Sequence, residues 1–122
     1  MRTSENILLL GASPNPGRTS YFATRFLSNK GFNLFAIGNR KGRIDNVEVS
    51  DTTIPLEHVD TVTMFLNADR QKKYYDYIFS LNPMRIIFNP GTENPELEQM
   101  AKDRNIQVFT GCTIALMANG VV

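Results

Sequence analysis

Apolar and polar positions follow two different periods along this chain. Short runs of apolar and β-branched residues recur at intervals, and the segments between them carry apolar residues every three or four positions. An apolar run of about four to eight residues is typical of a buried strand, whereas the longer period is typical of an amphipathic helix. The predicted strands lie at residues 7–10, 33–37, 47–49, 61–66, 85–88 and 107–109.

The first helical segment follows directly after the first strand and its loop. It is predicted over residues 18–30, with Gly31 placed where a C-terminal cap belongs. Its apolar positions recur at three- and four-residue spacing, which predicts one buried face. These positions are Phe22, Ala23, Phe26 and Leu27.

Two more helices and a final helical turn are predicted further along the chain. The second helix covers residues 68–81 and must end before Pro83, which cannot continue a helix. Its buried stripe comprises Tyr74, Tyr75, Ile78 and Leu81. The third begins after Asn94, which suits an N-cap, with Pro95 at the first helical position. Residues 115–118 predict a last turn of helix.

Strands that alternate with helices predict an α/β fold with a mostly parallel sheet and crossover helices. We therefore expect a three-layer Rossmann-like domain. The chain has 122 residues, of which 42% are hydrophobic, so one domain over residues 1–122 can bury a sizeable core. The run of leucines at residues 8–10 predicts a first strand that is buried on both faces.

The charge balance and the cysteine content argue against several classes of protein. Lys and Arg total 13 against 12 Asp and Glu, so net charge gives no general attraction to nucleic acid or to a membrane surface. One cysteine and one histidine exclude an intramolecular disulfide and a zinc cluster. No apolar stretch approaches the roughly 18 residues of a membrane span, and the beginning of the chain does not match a signal peptide. A cytoplasmic location is expected.

Small and polar residues gather where the predicted strands end. In a doubly wound sheet the ligand crevice lies at the carboxyl ends of the strands, so these residues are expected to line one binding edge. The candidate ligand-binding residues are Gly11, Ala12, Ser13, Arg18, Thr19, Asn39, Arg40, Lys41, Asn67, Asn89, Pro90, Gly91 and Cys112. No catalytic residue and no metal ligand is predicted.

The loop after the first strand reads SPNPGR at residues 13–18. It has the position of a dinucleotide-binding turn but lacks the G-x-G-x-x-G spacing. Amides at the start of the following helix attract phosphate, and Arg18 can bind a phosphate in bidentate fashion. The loop therefore predicts an anion site, and the alternative is a proline-stiffened turn with a solvated arginine.

The end of the second strand is basic where an NAD site would carry an acid. Arg40, Lys41 and Arg43 follow this strand, and the first acidic residue after it is Asp45. A phosphorylated ribose suits such a loop, which points to NADP or to coenzyme A. The alternative is a basic loop that only faces water.

Two further residues carry possible chemistry. Cys112 begins the last helical turn and is either a reactive, readily ionised thiol or, as is more common for a lone cysteine, a small buried hydrophobe. His58 has no obvious serine or cysteine partner, so no catalytic role is predicted for it.

Three segments together resemble the small stand-alone CoA-binding domain proteins, which are relatives of the N-terminal domain of the succinyl-CoA synthetase alpha subunit. The segments read GASPNPGRTSYFATRFLSNKGFNLFAIGNR, PLEHVDTVTMFL and IIFNPGTENPELEQMAKDRNIQVFTGCT. The opening motif of the family is matched by Gly11, Ser13, Pro16, Arg18 and Ser20.

The resemblance implies a Rossmann-like fold that binds coenzyme A at the carboxyl ends of its strands. It places the loop from Ser13 to Arg18 near the phosphates and Lys41 near the phosphorylated adenosine. It also implies that Leu66, Asn67, Asn89 and Pro90 flank the ligand. The phosphorylated histidine of the synthetase lies in a second domain that this chain does not contain, so the resemblance favours binding over turnover.

The sequence therefore predicts a module that binds coenzyme A, an acyl-CoA or a similar phosphorylated nucleotide, and that can form a homodimer. One alternative is an NADP-dependent oxidoreductase, with only tyrosines and Cys112 as candidate proton donors. The other is an interaction protein that kept the fold and lost the ligand.

Overall fold

A computed structural model describes residues 4–122. Its strands are β1 (Asn6–Ala12), β2 (Asn33–Gly38), β3 (Gly42–Ile44), β4 (Val47–Ser50), β5 (Thr61–Met64), β6 (Arg85–Phe88) and β7 (Gln107–Thr110). Its helices are α1 (Thr19–Asn29), α2 (Ala68–Gln71), α3 (Tyr75–Ser80), α4 (Pro95–Asp103) and α5 (Thr113–Ala118), with a 3-10 turn at Lys72–Tyr74 between α2 and α3.

The strands form one seven-stranded sheet in the order β3-β4-β2-β1-β5-β6-β7. Neighbouring strands run parallel, except that β3 and β4 form an antiparallel pair at one edge. Strand order reverses at β1, whose two neighbours are β2 and β5. The expected α/β fold with a mostly parallel sheet is confirmed, and the reversal places a ligand crevice at the carboxyl end of β1.

Each face of the sheet carries its own hydrophobic core. Leu8 and Leu10 belong to the cluster that packs under α3 and α4, whereas Ile7 and Leu9 belong to the cluster under α1 and α5. All four side chains are fully buried. Successive residues of a strand point to opposite faces, so a continuous apolar run is what a strand between two helical layers requires.

Two predicted elements differ from the observed ones. The helix expected over residues 68–81 is interrupted by the 3-10 turn, in which residues three apart eclipse, so Gln71 and Tyr74 both become buried. In α1 the buried residues are Ser20, Ala23, Thr24 and Leu27. Phe22 was predicted on the apolar face and is 63% exposed, because the buried face is centred one position further along the helix.

A backbone irregularity shapes the carboxyl end of β1. The register with β2 shifts between Leu10 and Ala12, and Gly11 lies in the left-handed region with φ of 103°. A Cβ atom on Gly11 would lie 2.7 Å from the backbone carbon of Phe65. Only glycine permits this approach, which joins the end of β1 to the loop after β5.

The opposite end of the sheet holds a hydrogen-bonded carboxylate that makes stability depend on pH. Asp60 accepts a hydrogen bond from the Asn6 amide at 2.7 Å, and its other carboxylate oxygen lies 2.7 Å from His58 Nε2. Burial alone would raise the pKa of Asp60, but the hydrogen bonds from Asn6 and His58 and the charges of His58 and Arg85 outweigh it and lower the pKa below 3.8.

We expect the Asp60 carboxylate to stabilise the protein at neutral pH and to lose this effect in acid. Since the folded-state pKa is lowered, the contribution is present above about pH 4 and disappears as the pH falls through the folded value. Asp60→Asn should therefore lower the free energy of unfolding by roughly 1 kcal/mol at pH 6 and by less at pH 3. Urea denaturation at both pH values measures this, with the exposed Asp51→Asn as control. An equal loss at both pH values would contradict the assignment.

Candidate functional site

Two adjoining pockets form one cleft at the carboxyl edge of the sheet. The arginine pocket, of about 370 Å³, is lined by Gly11, Ala12, Ser13, Pro14, Asn15, Arg18, Asn39, Arg40, Phe65, Leu66, Asn67, Arg70, Pro90, Gly91 and Thr92. The thiol pocket, of about 290 Å³, is lined by Arg18, Thr19, Ser20, Ala23, Phe65, Asn89, Pro90, Thr92, Cys112, Thr113 and Ile114. Arg18, Phe65, Pro90 and Thr92 line both, so the pockets share a wall.

The loop after β1 folds on itself and ends at an open helix terminus. Ser13 Oγ accepts from the Asn15 amide at 3.1 Å, and Asn15 Oδ1 accepts from the Gly17 amide at 3.0 Å. Arg18 occupies the N-cap position of α1, and no side chain caps this end. The Tyr21 amide donates to the Arg18 carbonyl at 3.1 Å. The amides of Thr19 and Ser20, which no side chain caps, lie at the positive end of the helix dipole, as an anion site requires.

Three arginines line the arginine pocket and give it a positive charge. These are Arg18, Arg40 and Arg70, and none of them has an ion-pair partner among residues 4–122. Other arginines are paired, such as Arg43 with Glu48 at 3.4 Å and Arg85 with Glu5 at 2.9 Å. Uncompensated guanidinium groups that converge on one pocket are suited to phosphate.

Asn89 braces the floor of the cleft through its buried side-chain amide. Its Nδ2 donates to Thr63 Oγ1 and to the Met64 carbonyl, both at 2.9 Å. Its Oδ1 accepts from the Thr113 amide at 2.9 Å and from Thr113 Oγ1 at 3.1 Å. Both donors and both acceptor positions are thus occupied by protein. The amide ties β5 to α5, so any contact of Asn89 with a ligand involves its other atoms.

Gln71 clamps together two loops that line the cleft. Its side chain is fully buried, and its Nε2 donates to the Leu66 carbonyl at 2.8 Å and to the Thr92 carbonyl at 2.7 Å. Its Oε1 accepts from Asn94 Nδ2 at 2.8 Å. Leu66 follows β5 and Thr92 follows β6, so this one side chain fixes the spacing of the two loops.

Almost every residue predicted to bind a ligand lies in the cleft. The arginine pocket contains Gly11, Ala12, Ser13, Asn39, Arg40, Asn67 and Gly91; the thiol pocket contains Thr19, Asn89 and Cys112; Arg18 and Pro90 line both. Lys41 is exposed beside Arg40 and does not line either pocket. Direct contact of each residue with a ligand stays a prediction.

Cys112 and His58 lie at opposite ends of the sheet. Cys112 is exposed and lines the thiol pocket, so it is not the small buried hydrophobe of the alternative interpretation. His58 lies at the amino ends of the strands and has a partner that the sequence did not suggest, Asp60. This pair lies away from the cleft.

Sequence reasoning missed two polar residues of the site, Arg70 and Gln71. Arg70 lies one turn after the N-cap Asn67, which itself follows a predicted strand, and this spacing could have indicated it. Gln71 gave no signal, because it reads as an ordinary polar position within a helical pattern. Ser20 belongs to the opening motif of the resemblance but is not among the residues predicted to bind a ligand. The burial of Gln71 and Ser20 becomes apparent only when the loops and helices are packed together.

Residues 5–118 match the model of a protein family described as a CoA binding domain. The chain belongs to this family. Membership supports a coenzyme A-binding role and confirms the family to which the sequence motifs pointed.

Several solved structures share the fold of this chain. An uncharacterized protein is 36% identical, with a TM-score of 0.93, over 99% of this chain and 100% of its own. A hypothetical protein from Pyrococcus horikoshii OT3 (18% identical, TM-score 0.78, 88% of this chain and 77% of its own) shows the fold alone. So does a protein from Thermus thermophilus, which is 18% identical with a TM-score of 0.84, over 95% and 90% of the two chains. No curated protein matched the chain.

Among residues 4–122, no helix is long and apolar enough to cross a membrane. Over the same residues, no group of three or more His, Cys, Asp or Glu side chains is arranged to hold a metal ion.

Proposed function

We propose that the protein binds coenzyme A or an acyl-CoA across the cleft and has no catalytic centre of its own. The observation that carries this proposal is the convergence of Arg18, Arg40 and Arg70, all without carboxylate partners, beside the uncapped start of α1. Phosphate groups are what such a site binds best. Coenzyme A carries a diphosphate and a 3′-phosphate at its nucleotide end, which matches more than one arginine.

The proposed roles follow from the positions of the arginines. Arg18 lies at the start of α1 and would bind the diphosphate together with the helix amides. Arg40 lies between β2 and β3, where a ribose is bound in this kind of fold, and would bind the 3′-phosphate with Lys41 nearby. Arg70, in the first turn of α2, would add positive charge to the arginine pocket.

The remainder of the ligand would extend from the arginine pocket into the thiol pocket. Phe65 and Pro90 line both pockets and offer apolar surface to the arm that links the nucleotide to the thiol. We also propose that the protein is a single domain, acts in the cytoplasm and can form a homodimer.

Calorimetric titration of coenzyme A and dephospho-coenzyme A tests the proposal. The two ligands differ by the 3′-phosphate alone, so the wild-type protein should bind coenzyme A about tenfold more tightly. Arg40→Gln should remove most of this difference, with Lys41 retaining the rest, whereas Arg70→Gln should weaken both ligands. Arg25→Gln is the matched control, because Arg25 pairs with Asp45 at 3.0 Å outside the cleft and its loss removes the same charge.

Other outcomes would favour the alternative functions. Binding of NADP but of neither form of coenzyme A would favour an oxidoreductase. An absence of binding for all of these nucleotides would contradict the proposal and favour an interaction protein that kept the fold.

A further inference from the structure

The thiol pocket contains the one cysteine of the chain. Cys112 is exposed at the start of α5. It lines the same pocket as Arg18 and Thr19, which lie at the start of α1. The pocket shares a wall with the arginine pocket, so a ligand held there by its phosphates can extend toward this thiol.

A second, independent feature of this pocket is the hydroxyl of Ser20. The residue is only 5% exposed and lines the thiol pocket, yet its Oγ makes no hydrogen bond with any residue of 4–122. Every fully buried side-chain oxygen or nitrogen in that part of the chain has a partner. The Ser20 Oγ must therefore reach open space, which the pocket provides. A hydroxyl that has no protein partner, on a residue that is 5% exposed and lines the pocket, is suited to a ligand with hydrogen-bonding groups, such as the amides in the arm of coenzyme A.

The remaining lining restricts the chemistry that can occur at Cys112. The described residues around the thiol pocket include no carboxylate and no imidazole. Acyl transfer to the cysteine would need a base and stabilisation of an oxyanion. Thiol–disulfide exchange needs neither, because a thiolate displaces another thiolate directly.

We propose that the thiol pocket is a thiol–disulfide exchange site in which Cys112 reacts with a disulfide of coenzyme A; this rests on the proposed binding function. The Cys112 thiol loses its proton to water, and the thiolate attacks the nearer sulfur of the disulfide. A bond forms between Cys112 Sγ and that sulfur, the original sulfur–sulfur bond breaks, and its electron pair leaves with the second coenzyme A thiolate, which water protonates. The product is a mixed disulfide of Cys112 with coenzyme A, and there is no net oxidation.

Mass spectrometry of the intact protein after exposure to coenzyme A disulfide tests the exchange. Binding at the phosphates raises the effective concentration of the reacting sulfur, so the adduct should form about tenfold faster or more than with glutathione disulfide at equal concentration. Desulfo-coenzyme A binds but lacks the thiol. Added as a competitor, it should remove the rate advantage of coenzyme A disulfide over glutathione disulfide. Ser20→Ala should reduce the advantage by a few-fold, since one hydrogen bond to the arm is lost.

The variants separate failure of the exchange from failure of ligand binding. Cys112→Ser should form no adduct, and calorimetry of the wild-type protein with reduced coenzyme A measures ligand binding separately. Equal rates for the two disulfides in a wild-type protein that binds coenzyme A would overturn the exchange site and leave the binding function intact. An absence of coenzyme A binding by the wild-type protein would overturn both proposals.

Discussion

Asn89→Asp is expected to lower the free energy of unfolding by about 3 kcal/mol or more, although it replaces one atom. The buried amide donates to Thr63 Oγ1 and to the Met64 carbonyl. A carboxylate cannot donate, so the carbonyl of Met64 would lose its partner and face a second acceptor. Urea denaturation at neutral pH measures the loss.

Asn67→Asp is the matched control for this substitution. Asn67 is an exposed N-cap whose side chain accepts from the Arg70 amide at 3.0 Å, and aspartate fills this position equally well. We expect a change within about 0.5 kcal/mol. Comparable losses for the two variants would mean that Asn89 does not brace the cleft.

Gly38→Ala should lower the free energy of unfolding by more than about 3 kcal/mol. A Cβ atom at this position would lie 1.9 Å from the carbonyl oxygen of Ala12 and 3.0 Å from its carbonyl carbon. These are backbone atoms at the end of β1, so the contact can be relieved only by separating β1 from β2 where the cleft begins. Thermal and urea denaturation both detect the loss.

Gly17→Ala tests whether the loss reflects this close approach. The nearest atom to an added Cβ on Gly17 is Asn15 Oδ1, at 3.4 Å, and it belongs to a side chain. We expect a change of less than about 1 kcal/mol in either direction. If Gly38→Ala were equally mild, the observed contact between the ends of β1 and β2 would be wrong.

The fold could be predicted because its main signals are local. Ile7 to Leu10 form a continuous apolar run, which only a strand between two layers accommodates. Asn94 and Pro95 begin α4 as capping rules require, and the Asn94 side chain accepts from the Leu97 amide. β3 was not predicted, because three residues at a sheet edge produce no pattern of their own.

The position of the site could also be predicted, but its inner construction could not. Strand ends are visible in the sequence, so Ser13, Arg18 and Arg40 were found from their places after strands. The role of Gln71 depends on carbonyl groups 5 and 21 residues away along the chain. Such contacts are set by tertiary packing, which no spacing rule encodes.

The clamp at Gln71 has a consequence for the entropy of binding. Because this side chain already fixes the loops at Leu66 and Thr92, that wall is organised before a ligand arrives. The exposed arginines, by contrast, lose side-chain freedom on binding, at up to about 2 kcal/mol each. A tighter binder would therefore be obtained by restraining the arginine side chains, since the wall held by Gln71 has little freedom left to lose.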